Sequence, residues 1–512
     1  MRVYQLDDWW YLGSPTSLMR CVERWTPRLD FFPQGLNATL KAIDTPGLTL
    51  YLPFFCADNV YRFHPGVRFV HSETVGDGTW NYTHFSNPAP ESAATVFGAV
   101  MDAGLAQGMR FFEIDYLVDS FMHTHAFRQT PGAFETFLSG LSAAAVARGV
   151  PVQFCMGLPS DALSTLTLQA VTSFRASIDY GVPLPNDYGR ENWQVGGPSL
   201  LLAALGLAPF KDNFWSTRTQ PGIPDRVETN SALHCLLATM SGGAVAISDT
   251  PGYTDDDLVR RSVDTLGRVL KSSLPLTPID MPVVGDGYIW TAHSTSTPPT
   301  QSLSPSSSLS ATGLTTWHVL AIGVKVDGFE LTAPDLWPRP TGALAWLEWP
   351  PRGSTDCRNG SAATDCVTIA LSAADLRVSL GAGVTHHGTH PYHLLQVSEY
   401  FPMGVTMLGE RSKWVGCSAV RFTSIAVGPH GVGVTGFAVA GGPHEVVEVV
   451  LLVPIKEGES LVETDMVGDG ADVGRDGGRV MIKEINLGES GEVWVNVTAW
   501  AELHHVFQRS YT

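Results

Sequence analysis

The first 280 residues alternate short apolar segments with longer segments whose apolar residues recur at helical spacing. Residues 91–109 and 136–149 have the helical spacing, whereas residues 48–58 and 150–159 form short runs that are largely apolar. Strands without regular polar alternation are buried on both faces, which is typical of a parallel sheet covered by helices. Six or seven strand–helix units in about 260 residues predict a (β/α)8 TIM barrel, with a doubly wound open sheet as the alternative.

The pattern changes after Thr277 to short alternating segments between clusters of Gly, Pro and Ser. TWHVLAIGVKV and EVWVNVTAW are two such segments, and both are typical of antiparallel strands that face a core on one side. The sequence therefore predicts an α/β fold with two domains. The barrel occupies residues 1–282, and an all-β antiparallel sandwich occupies residues 283–512.

Acidic side chains follow the proposed strands of the barrel at their carboxyl ends. They are Asp7, Asp8, Asp58, Asp115, Asp179, Asp212 and Asp249. A single acid at a strand end more often caps the next helix. Acids after six strands in succession are better explained by a shared pocket, because the carboxyl ends of barrel strands meet on the face that carries active sites.

Charge and motif content exclude several classes of function. Lys and Arg total 32 against 50 Asp and Glu, a net charge of −18, and no basic run is present to bind nucleic acid. No G-x-G-x-x-G follows the first strand and no G-x-S-x-G occurs, so neither a dinucleotide cofactor nor a serine hydrolase is predicted. No apolar stretch reaches 18 residues, so no membrane association is expected.

Histidines beside two of the acids raise the alternative of a metal site. His123 and His125 lie near Asp115 and Asp119, and together these side chains offer nitrogen and oxygen ligands for a divalent cation. Alternate histidines on one loop do not complete a three-ligand set, so we predict no metal. Carboxylates without a metal suit acid–base chemistry on a neutral polyol. Glycoside hydrolysis is the standard case, in which one carboxylate attacks the anomeric carbon and the other protonates the leaving oxygen.

Three segments, in this order, resemble raffinose synthases and alkaline α-galactosidases of glycoside hydrolase family 36, in clan D. YQLDDWW resembles the Asp-Asp-Gly-Trp strand of families 27 and 36, and FRASIDYG resembles the Arg-Ala-Ser-Asp-Asp-Phe strand. GGAVAISDTPG resembles the Gly-rich strand that ends in Ser-Asp-Lys-Pro-Gly. The resemblance covers roughly residues 3–285. It implies retaining cleavage of α-linked galactosides in an oligosaccharide or glycoconjugate, without a cofactor.

The resemblance assigns the two catalytic carboxylates. Asp115 matches the nucleophile at the end of its strand, and Asp179, four residues after Arg175, matches the general acid–base. Glu113 stands where the family has a Lys that contacts the sugar, and Ile178 stands where raffinose synthases have a further Asp. The Glu113 departure concerns recognition of the sugar. Asp179 is taken as the acid–base despite Ile178, because its spacing of four residues from Arg175 matches the clan.

The remaining roles concern the sugar. Asp7 and Asp8 match the pair that receives the 4- and 6-hydroxyls of galactose, where each carboxylate accepts a charge-assisted hydrogen bond. Trp10 or its neighbour Trp9 would stack on the apolar sugar face, or pack in the core. The full set of predicted substrate-binding residues is Asp7, Asp8, Trp10, Asp58, Glu113, Arg175, Lys211, Asp212, Trp215 and Asp249.

Two alternatives to hydrolysis stay open at this stage. A bound sugar hydroxyl in place of water would make the protein an α-galactosyltransferase of raffinose-synthase type, and loss of activity would leave a carbohydrate-binding relative. Family 36 enzymes also carry a β-sandwich before the barrel, whereas residue 3 here already begins a barrel strand. About seven strands can be named, so the barrel is expected either to be complete or to lack its first strand.

The sequence features that bear on the cellular location of the protein point in different directions. Four glycosylation sequons begin at Asn37, Asn81, Asn359 and Asn496. Cys357 and Cys366 flank a polar loop and would either pair in an oxidising compartment or remain free thiols. The opening MRVYQLDDWWYLG is not a signal peptide, because acids precede any apolar run. A secreted or lysosome-like location is favoured, with the signal peptide absent from this chain, and the oligomeric state, a homo-oligomer included, stays open.

Overall fold

A computed structural model describes most of the chain, in two compact units. The described residues are 3–13, 21–43, 45, 47–73, 85–181, 195–279, 288–296, 313–323, 329–349, 367–370, 376–380, 392–428, 433–454, 472–473 and 478–497. The first unit comprises residues 1–178 and 201–210, and the second comprises residues 179–200 and 211–512. The predicted domain boundary after residue 282 stays a prediction. Four residues of the sequence-based expectations lie outside the described set: Cys357, Cys366, Asn81 and Asn359.

Short strands and helices alternate in the first unit. Its strands are β1 (Tyr4–Leu6), β2 (Tyr11–Gly13), β3 (Val22–Pro27), β4 (Leu48–Leu52), β5 (Phe55–Cys56), β6 (Phe69–His71), β7 (Phe85–Pro88), β8 (Met109–Ile114), β9 (Val152–Phe154), β10 (Val171–Arg175) and β11 (Ala208–Phe210). Its helices are α1 (Leu36–Ile43), α2 (Ala93–Leu105), α3 (Leu117–His123), α4 (His125–Gln129), α5 (Ala133–Val146) and α6 (Pro159–Ser164). A further helix, α7 (Gly196–Ala204), contributes residues to both units.

A six-stranded parallel sheet organises the first unit. Its strand order is β1-β4-β8-β9-β10-β11, and every neighbouring pair is parallel. The spatial order follows the chain order, as in a barrel wall. All five residues of β4 are buried, which agrees with the run of apolar residues that predicted this strand.

The parallel α/β sheet is thus confirmed, but a closed eight-stranded barrel is not found among the described residues. The segment GAVAISDTPG, predicted as a strand, forms only an isolated parallel bridge between Ile247 and Phe214, both in the second unit. Gly243 begins this segment and Gly242 precedes it, with φ 85°, a left-handed conformation outside the β region. Glycines at this point weaken the strand and reduce it to a bridge.

A smaller sheet, of order β2-β3-β5-β7-β6, lies in the same unit. A disulfide joins Cys21, next to β3, with Cys56 in β5, and their Cα atoms are 4.8 Å apart. No spacing motif in the sequence signals this bond, since the two cysteines are 35 residues apart. The disulfide ties the small sheet together at the point where β3 and β5 pair through Val22 and Phe55.

Helices α2 and α5 pack closely at Gly140, and this contact allows a stability prediction. A Cβ atom on Gly140 would lie 2.7 Å from the Ala93 Cβ and 2.8 Å from the Ala94 backbone nitrogen. Gly140→Ala is therefore expected to lower the free energy of unfolding by about 1–3 kcal/mol, although Ala favours a helix over Gly by about 1 kcal/mol. Urea unfolding of both proteins measures the difference.

Gly98→Ala is the matched control, because Gly98 lies in α2, the partner helix of α5, and the atoms nearest to its new Cβ belong to the flexible end of Arg148, at 3.0 Å. We expect a smaller loss for this variant than for Gly140→Ala. An unfolding free energy for Gly140→Ala at or above that of the unaltered protein would show that the two helices can move apart without loss.

The second unit is mostly antiparallel β structure. Its strands are β12 (Thr277–Pro278), β13 (Tyr288–Thr295), β14 (Thr315–Ile322), β15 (Phe329–Leu331), β16 (Leu344–Trp349), β17 (Val367–Ala370), β18 (Val378–Leu380), β19 (Tyr392–Glu399), β20 (Thr406–Glu410), β21 (Phe422–Gly428), β22 (Gly433–Ala440), β23 (Val446–Pro454), β24 (Asp472–Val473), β25 (Gly478–Asn486) and β26 (Glu492–Asn496). It also contains α8 (Ser231–Met240) and α9 (Asp256–Arg260). None of the helices among the described residues has the length and hydropathy to cross a bilayer.

Several antiparallel sheets confirm the β-rich second half of the sequence. One has the order β12-β13-β14-β19-β16-β17, and it begins at Thr277, where the sequence pattern changes. Two others, β20-β23-β25-β24 and β21-β22-β26, share one apolar core. Met407 and Val449 enter that core from the first of these sheets, and Phe422 and Phe437 enter it from the second. The alternation of apolar residues along the strands is what places one face of each sheet in this core.

Candidate active site

Asp115 follows β8 directly and is held in place by neighbouring strands and by its own turn. Its backbone N–H donates to the Leu52 carbonyl at 3.0 Å, and its side chain is buried. The Tyr51 hydroxyl donates to Asp115 Oδ2 at 3.1 Å, and the Tyr116 N–H donates to Oδ1 at 2.7 Å. Tyr116 has φ 53°, a left-handed conformation that turns the chain from β8 into α3. The carboxyl group therefore has a fixed orientation at the end of a buried strand.

Two buried side chains donate hydrogen bonds to this carboxylate. Burial, and then the charge of Asp115, raises the pKa of the Tyr51 hydroxyl well above its usual value. Burial and Asp115 likewise raise the pKa of the Cys155 thiol, which donates to Asp115. Both groups therefore keep their protons at neutral pH and remain donors toward Asp115.

Glu113 lies on the same face of β8 as Asp115, two residues earlier. The Gln153 amide donates to Glu113 Oε1 at 2.8 Å, and the Gln5 amide donates to Oε2 at 2.5 Å. Glu113 and Gln153 are paired in register between β8 and β9, and Glu113 is only 3% exposed. Glu113 was predicted as a substrate contact, but the structure places it inside the sheet, where amides from β1 and β9 hold it.

Sequence reasoning missed the polar neighbours of these two acids, which are Gln5, Tyr51, Gln153 and Cys155. A usable signal was present in the sequence. A polar residue inside a largely apolar parallel strand shares a face with the residue two positions away. Gln153 and Cys155 are spaced in this way on and just after β9, as Glu113 and Asp115 are on and just after β8.

Asp7 and Asp8 follow β1 directly, as predicted. Asp7 is exposed and accepts the Asp8 N–H at 2.7 Å, whereas Asp8 is half-buried and accepts the Tyr11 hydroxyl. The Trp9 N–H donates to Asp8 Oδ1 at 3.0 Å. The pair therefore presents carboxylate oxygens at the end of the edge strand of the parallel sheet.

Of the two alternatives for Trp10, stacking on a sugar and packing in the core, the structure shows the packing. Trp10 is only 3% exposed, and its indole N–H donates to the Tyr51 carbonyl at 3.2 Å. Its ring packs edge-on against Trp25 at a centroid distance of 5.0 Å. Trp10 is a core residue, and Trp9, which is 40% exposed, is the ring available to a ligand.

Asp58 does not lie at the end of a strand of the six-stranded parallel sheet. It comes after β5, in the smaller sheet, and is exposed. Its carboxylate, Glu23 and Cys56 Sγ lie within 4.8 Å of one another, but Cys56 is in the disulfide and offers no thiolate to a metal. Among the described residues, His123 pairs with Asp119 one turn away on α3, at 3.6 Å.

The acids predicted for the later strands, Asp179, Asp212 and Asp249, lie in the second unit. Arg175, also predicted to contact substrate, ends β10 in the first unit. Asp179 is exposed. Asp212 accepts the Tyr180 N–H at 2.5 Å and the Asn213 N–H at 2.8 Å. Asp249 accepts the Ser216 N–H at 2.9 Å and the Gln220 amide at 2.7 Å, and burial raises its pKa. Asp212 and Asp249 thus brace the loops that follow β11 and α8.

Lys211 and Trp215, which were predicted to contact substrate, are both buried in the structure. Lys211 is 0% exposed, and its Nζ donates to the carbonyls of Asp212 and Asn213 at 3.0 and 3.3 Å. Burial lowers the pKa of Lys211 to about 8. Trp215 is 6% exposed, and its backbone N–H donates to the Tyr180 hydroxyl at 3.2 Å. The structure therefore places Lys211 as a buried cation among backbone carbonyls, and its contact with substrate stays a prediction.

Glu228 is a further buried acid of the second unit that sequence reasoning missed. It is 2% exposed and accepts the Tyr180 hydroxyl at 2.6 Å and the Asn230 N–H at 2.5 Å. His234 Nε2 lies 3.6 Å from Glu228 Oε2. Burial raises the pKa of Glu228. Glu228 lies in the polar segment QPGIPDRVETN, where no strand or helix pattern singles it out.

Each unit contains one of the two predicted catalytic carboxylates, Asp115 in the first and Asp179 in the second. The first unit holds Asp7, Asp8, Glu113, Asp115 and Arg175, and the second holds Asp179, Lys211, Asp212, Trp215 and Asp249. Asp115 is a buried carboxylate with two protonated donors, which suits a nucleophile that must keep one orientation. Asp179 is an exposed carboxyl, which suits a group that exchanges protons with a leaving group and with water.

No family model matches this sequence. A search of curated proteins likewise finds no match. Comparison with solved structures, in contrast, finds similar chains among glycoside hydrolases that act on α-galactosides.

Three α-galactosidases illustrate these structural neighbours. The enzyme from Thermus thermophilus in complex with stachyose has a TM-score of 0.32 and 18% identity, over 50% of this chain and 56% of its own. The family 36 enzyme from Geobacillus stearothermophilus has a TM-score of 0.42 and 12% identity, over 78% of this chain and 51% of its own. The galactosidase domain of an α-galactosidase–sucrose kinase has a TM-score of 0.46 and 10% identity, over 78% and 50%.

This chain spans about half the length of these three proteins. All three TM-scores are below 0.5, so the likenesses by themselves establish neither the fold of this chain nor its activity.

Proposed function

We propose that this protein is a retaining glycoside hydrolase that acts on α-linked galactosides. One observation carries the proposal: Asp115, at the end of a buried parallel strand, has a carboxylate held by Tyr51, Cys155 and the Tyr116 N–H. This is the position to which the family 36 resemblance gives the nucleophile. The resemblance also supplies Asp179 as the partner carboxyl.

The proposed reaction is a double displacement. In the first step an Asp115 oxygen bonds to the anomeric carbon, the bond to the leaving oxygen breaks, and Asp179 gives its proton to that oxygen. In the second step Asp179 takes a proton from water, the water oxygen bonds to the anomeric carbon, and the ester to Asp115 breaks. Two inversions leave the configuration unchanged.

Sugar recognition is assigned to the acids after β1. Asp7 and Asp8 present carboxylate oxygens that accept hydrogen bonds from ring hydroxyls, and a neutral hydroxyl-rich ligand suits the net charge of −18. Trp9 offers an exposed ring beside them for the apolar sugar face. The proposed substrate is an α-galactoside in an oligosaccharide or glycoconjugate.

Hydrolysis of an aryl α-D-galactoside between pH 4 and 9 tests the proposal, with the first anomer of released galactose identified by proton NMR. We expect α-galactose first, because retention gives that anomer. Release of β-galactose first would show that the reaction inverts the anomeric configuration and would rule out double displacement. Activity on other α-glycosides but not on galactosides would overturn the assigned sugar, and transfer to an added sugar in place of water would identify a transferase.

A further inference from the structure

Asp179 lies in a segment without regular secondary structure that follows β10. Residues 176–181 form no helix or strand, and the Asp179 side chain is exposed. A proton donor must stay within hydrogen-bond reach of the leaving oxygen, so its backbone has to be held by something other than a strand ladder. The next residue, Tyr180, makes the contacts that can do this.

Tyr180 belongs to the second unit and is hydrogen-bonded there through both its backbone and its side chain. Its N–H donates to Asp212 Oδ2 at 2.5 Å, and its hydroxyl donates to Glu228 Oε2 at 2.6 Å. The same hydroxyl oxygen accepts the Trp215 N–H at 3.2 Å. The hydroxyl of Tyr180 thus joins the segment after β10 to two other loops.

The group that receives this hydroxyl is buried and has further partners. Glu228 is 2% exposed and also accepts the Asn230 N–H at the start of α8. His234 packs edge-on against the Tyr180 ring at a centroid distance of 5.2 Å, and the Lys211 ammonium lies 5.5 Å from the centre of the same ring. A buried acceptor among packed groups cannot move to follow a displaced tyrosine, so it defines where Tyr180 sits.

We infer that Tyr180 and Glu228 are positioning residues, whose partly buried hydrogen bond holds Asp179 where it can protonate the leaving group. This inference rests on the proposed function and adds to it two residues that act through Asp179. A misplacement of about 1 Å in a catalytic group can lower a rate about 10²-fold. Loss of the hydroxyl should therefore weaken proton donation while the Asp179 carboxyl itself stays intact.

Leaving-group dependence separates a positioning role from a structural one. α-Galactosyl fluoride needs no proton on its leaving group, whereas a 1→6-linked α-galactosyl glucose does. The ratio kcat/KM reports only the steps up to cleavage of the glycosidic bond, in which Asp179 acts as the acid. We expect Tyr180→Phe to lower kcat/KM about 10- to 10²-fold on the disaccharide, and to change it far less on the fluoride.

Glu228→Gln provides a second variant that does not depend on Tyr180→Phe folding well. It removes the charged acceptor from the same bond, so it should show the same selective loss on the disaccharide. If both residues act through this one bond, the double variant should fall no further than the worse single variant. Tyr392→Phe is the matched control, because Tyr392 is a buried tyrosine of the same unit, and its change should leave the rates on both substrates unaffected.

Equal losses on the two substrates, or no loss on either, would overturn the positioning role. Asp179→Asn is the reference variant. We expect it to lower kcat/KM strongly on the disaccharide and only slightly on the fluoride. If Asp179→Asn lacked this difference, or the unaltered protein cleaved neither substrate, the proposed function would fail and this inference with it. If the reference behaves as expected but the Tyr180 and Glu228 variants do not, the inference alone fails.

Discussion

Asp115→Asn is expected to abolish cleavage of α-galactosides, with a loss in kcat of about 10⁴-fold or more. An amide does not form the glycosyl ester, so the first displacement cannot occur. The amide oxygen still accepts the Tyr51 hydroxyl, which lies 3.1 Å from the native carboxylate, and the side chain keeps its volume. Because the amide nitrogen then faces the Tyr116 N–H, the melting temperature should fall by a few degrees, whereas the affinity for galactose should stay close to that of the unaltered protein.

Initial rates on an aryl α-D-galactoside, with galactose binding by calorimetry, measure this prediction. Asp102→Asn is the matched control. Asp102 lies on α2 in the same unit, at the surface beside Arg148, and its change should leave turnover unaltered. Normal turnover by Asp115→Asn would remove Asp115 as the nucleophile. Loss of galactose binding together with turnover would point to a damaged site rather than a missing nucleophile.

Arg421→Met is expected to lower the free energy of unfolding by about 3–5 kcal/mol, the largest stability effect that we predict. Arg421 is 0% exposed, and its guanidinium donates to Glu410 Oε2 at 2.8 Å and to Glu445 Oε1 at 2.6 Å. It also donates to the Ala440 carbonyl at 3.0 Å. Methionine fills similar space but leaves two buried carboxylates without this cation, and their desolvation is then uncompensated.

The effect of Arg421→Met should depend on pH. Burial raises the pKa of Glu445, but hydrogen bonds from Arg421 and the Gly442 N–H lower it to about 2 overall. In the unaltered protein this group adds stability above pH about 4.5, which is lost as the pH falls toward 2. Without Arg421 the sign reverses, because a buried carboxyl lacking its cation has a raised pKa. The loss in unfolding free energy caused by Arg421→Met should then be larger at pH 7 than at pH 4.

Urea unfolding at pH 7 and pH 4 measures both parts of this prediction. Arg377→Met is the matched control, since Arg377 pairs with Glu330 at the surface, where an ion pair contributes at most about 1 kcal/mol. Equal losses for the two arginine variants, or a deficit for Arg421→Met that grows toward pH 4, would contradict the account of the buried network.

Much of the fold and part of the site follow from local sequence patterns. The apolar run LTLYL predicted a strand that is buried along its whole length, and the change in pattern after Thr277 coincides with the first strand of an antiparallel sheet. Asp7, Asp8 and Asp115 directly follow parallel strands, as their spacing indicated. Periodicity is a local property that reports which face of a strand or helix is buried, so one sequence suffices for these conclusions.

Contacts between distant segments were decided only by the tertiary structure. Trp9 and Trp10 are adjacent and chemically alike, yet packing against Trp25 buries one and leaves the other exposed. The Cys21–Cys56 disulfide and the Tyr180–Glu228 hydrogen bond join residues that no spacing motif connects.

Lys211 and Glu113 show the same limit for charged residues. Both were predicted to contact substrate, and both are buried among polar partners from other segments. The sequence by itself determined the order of strands and helices and the acids at several strand ends. The tertiary structure decided which of the polar and aromatic residues face solvent and which pack inside, because burial depends on segments far apart in the chain.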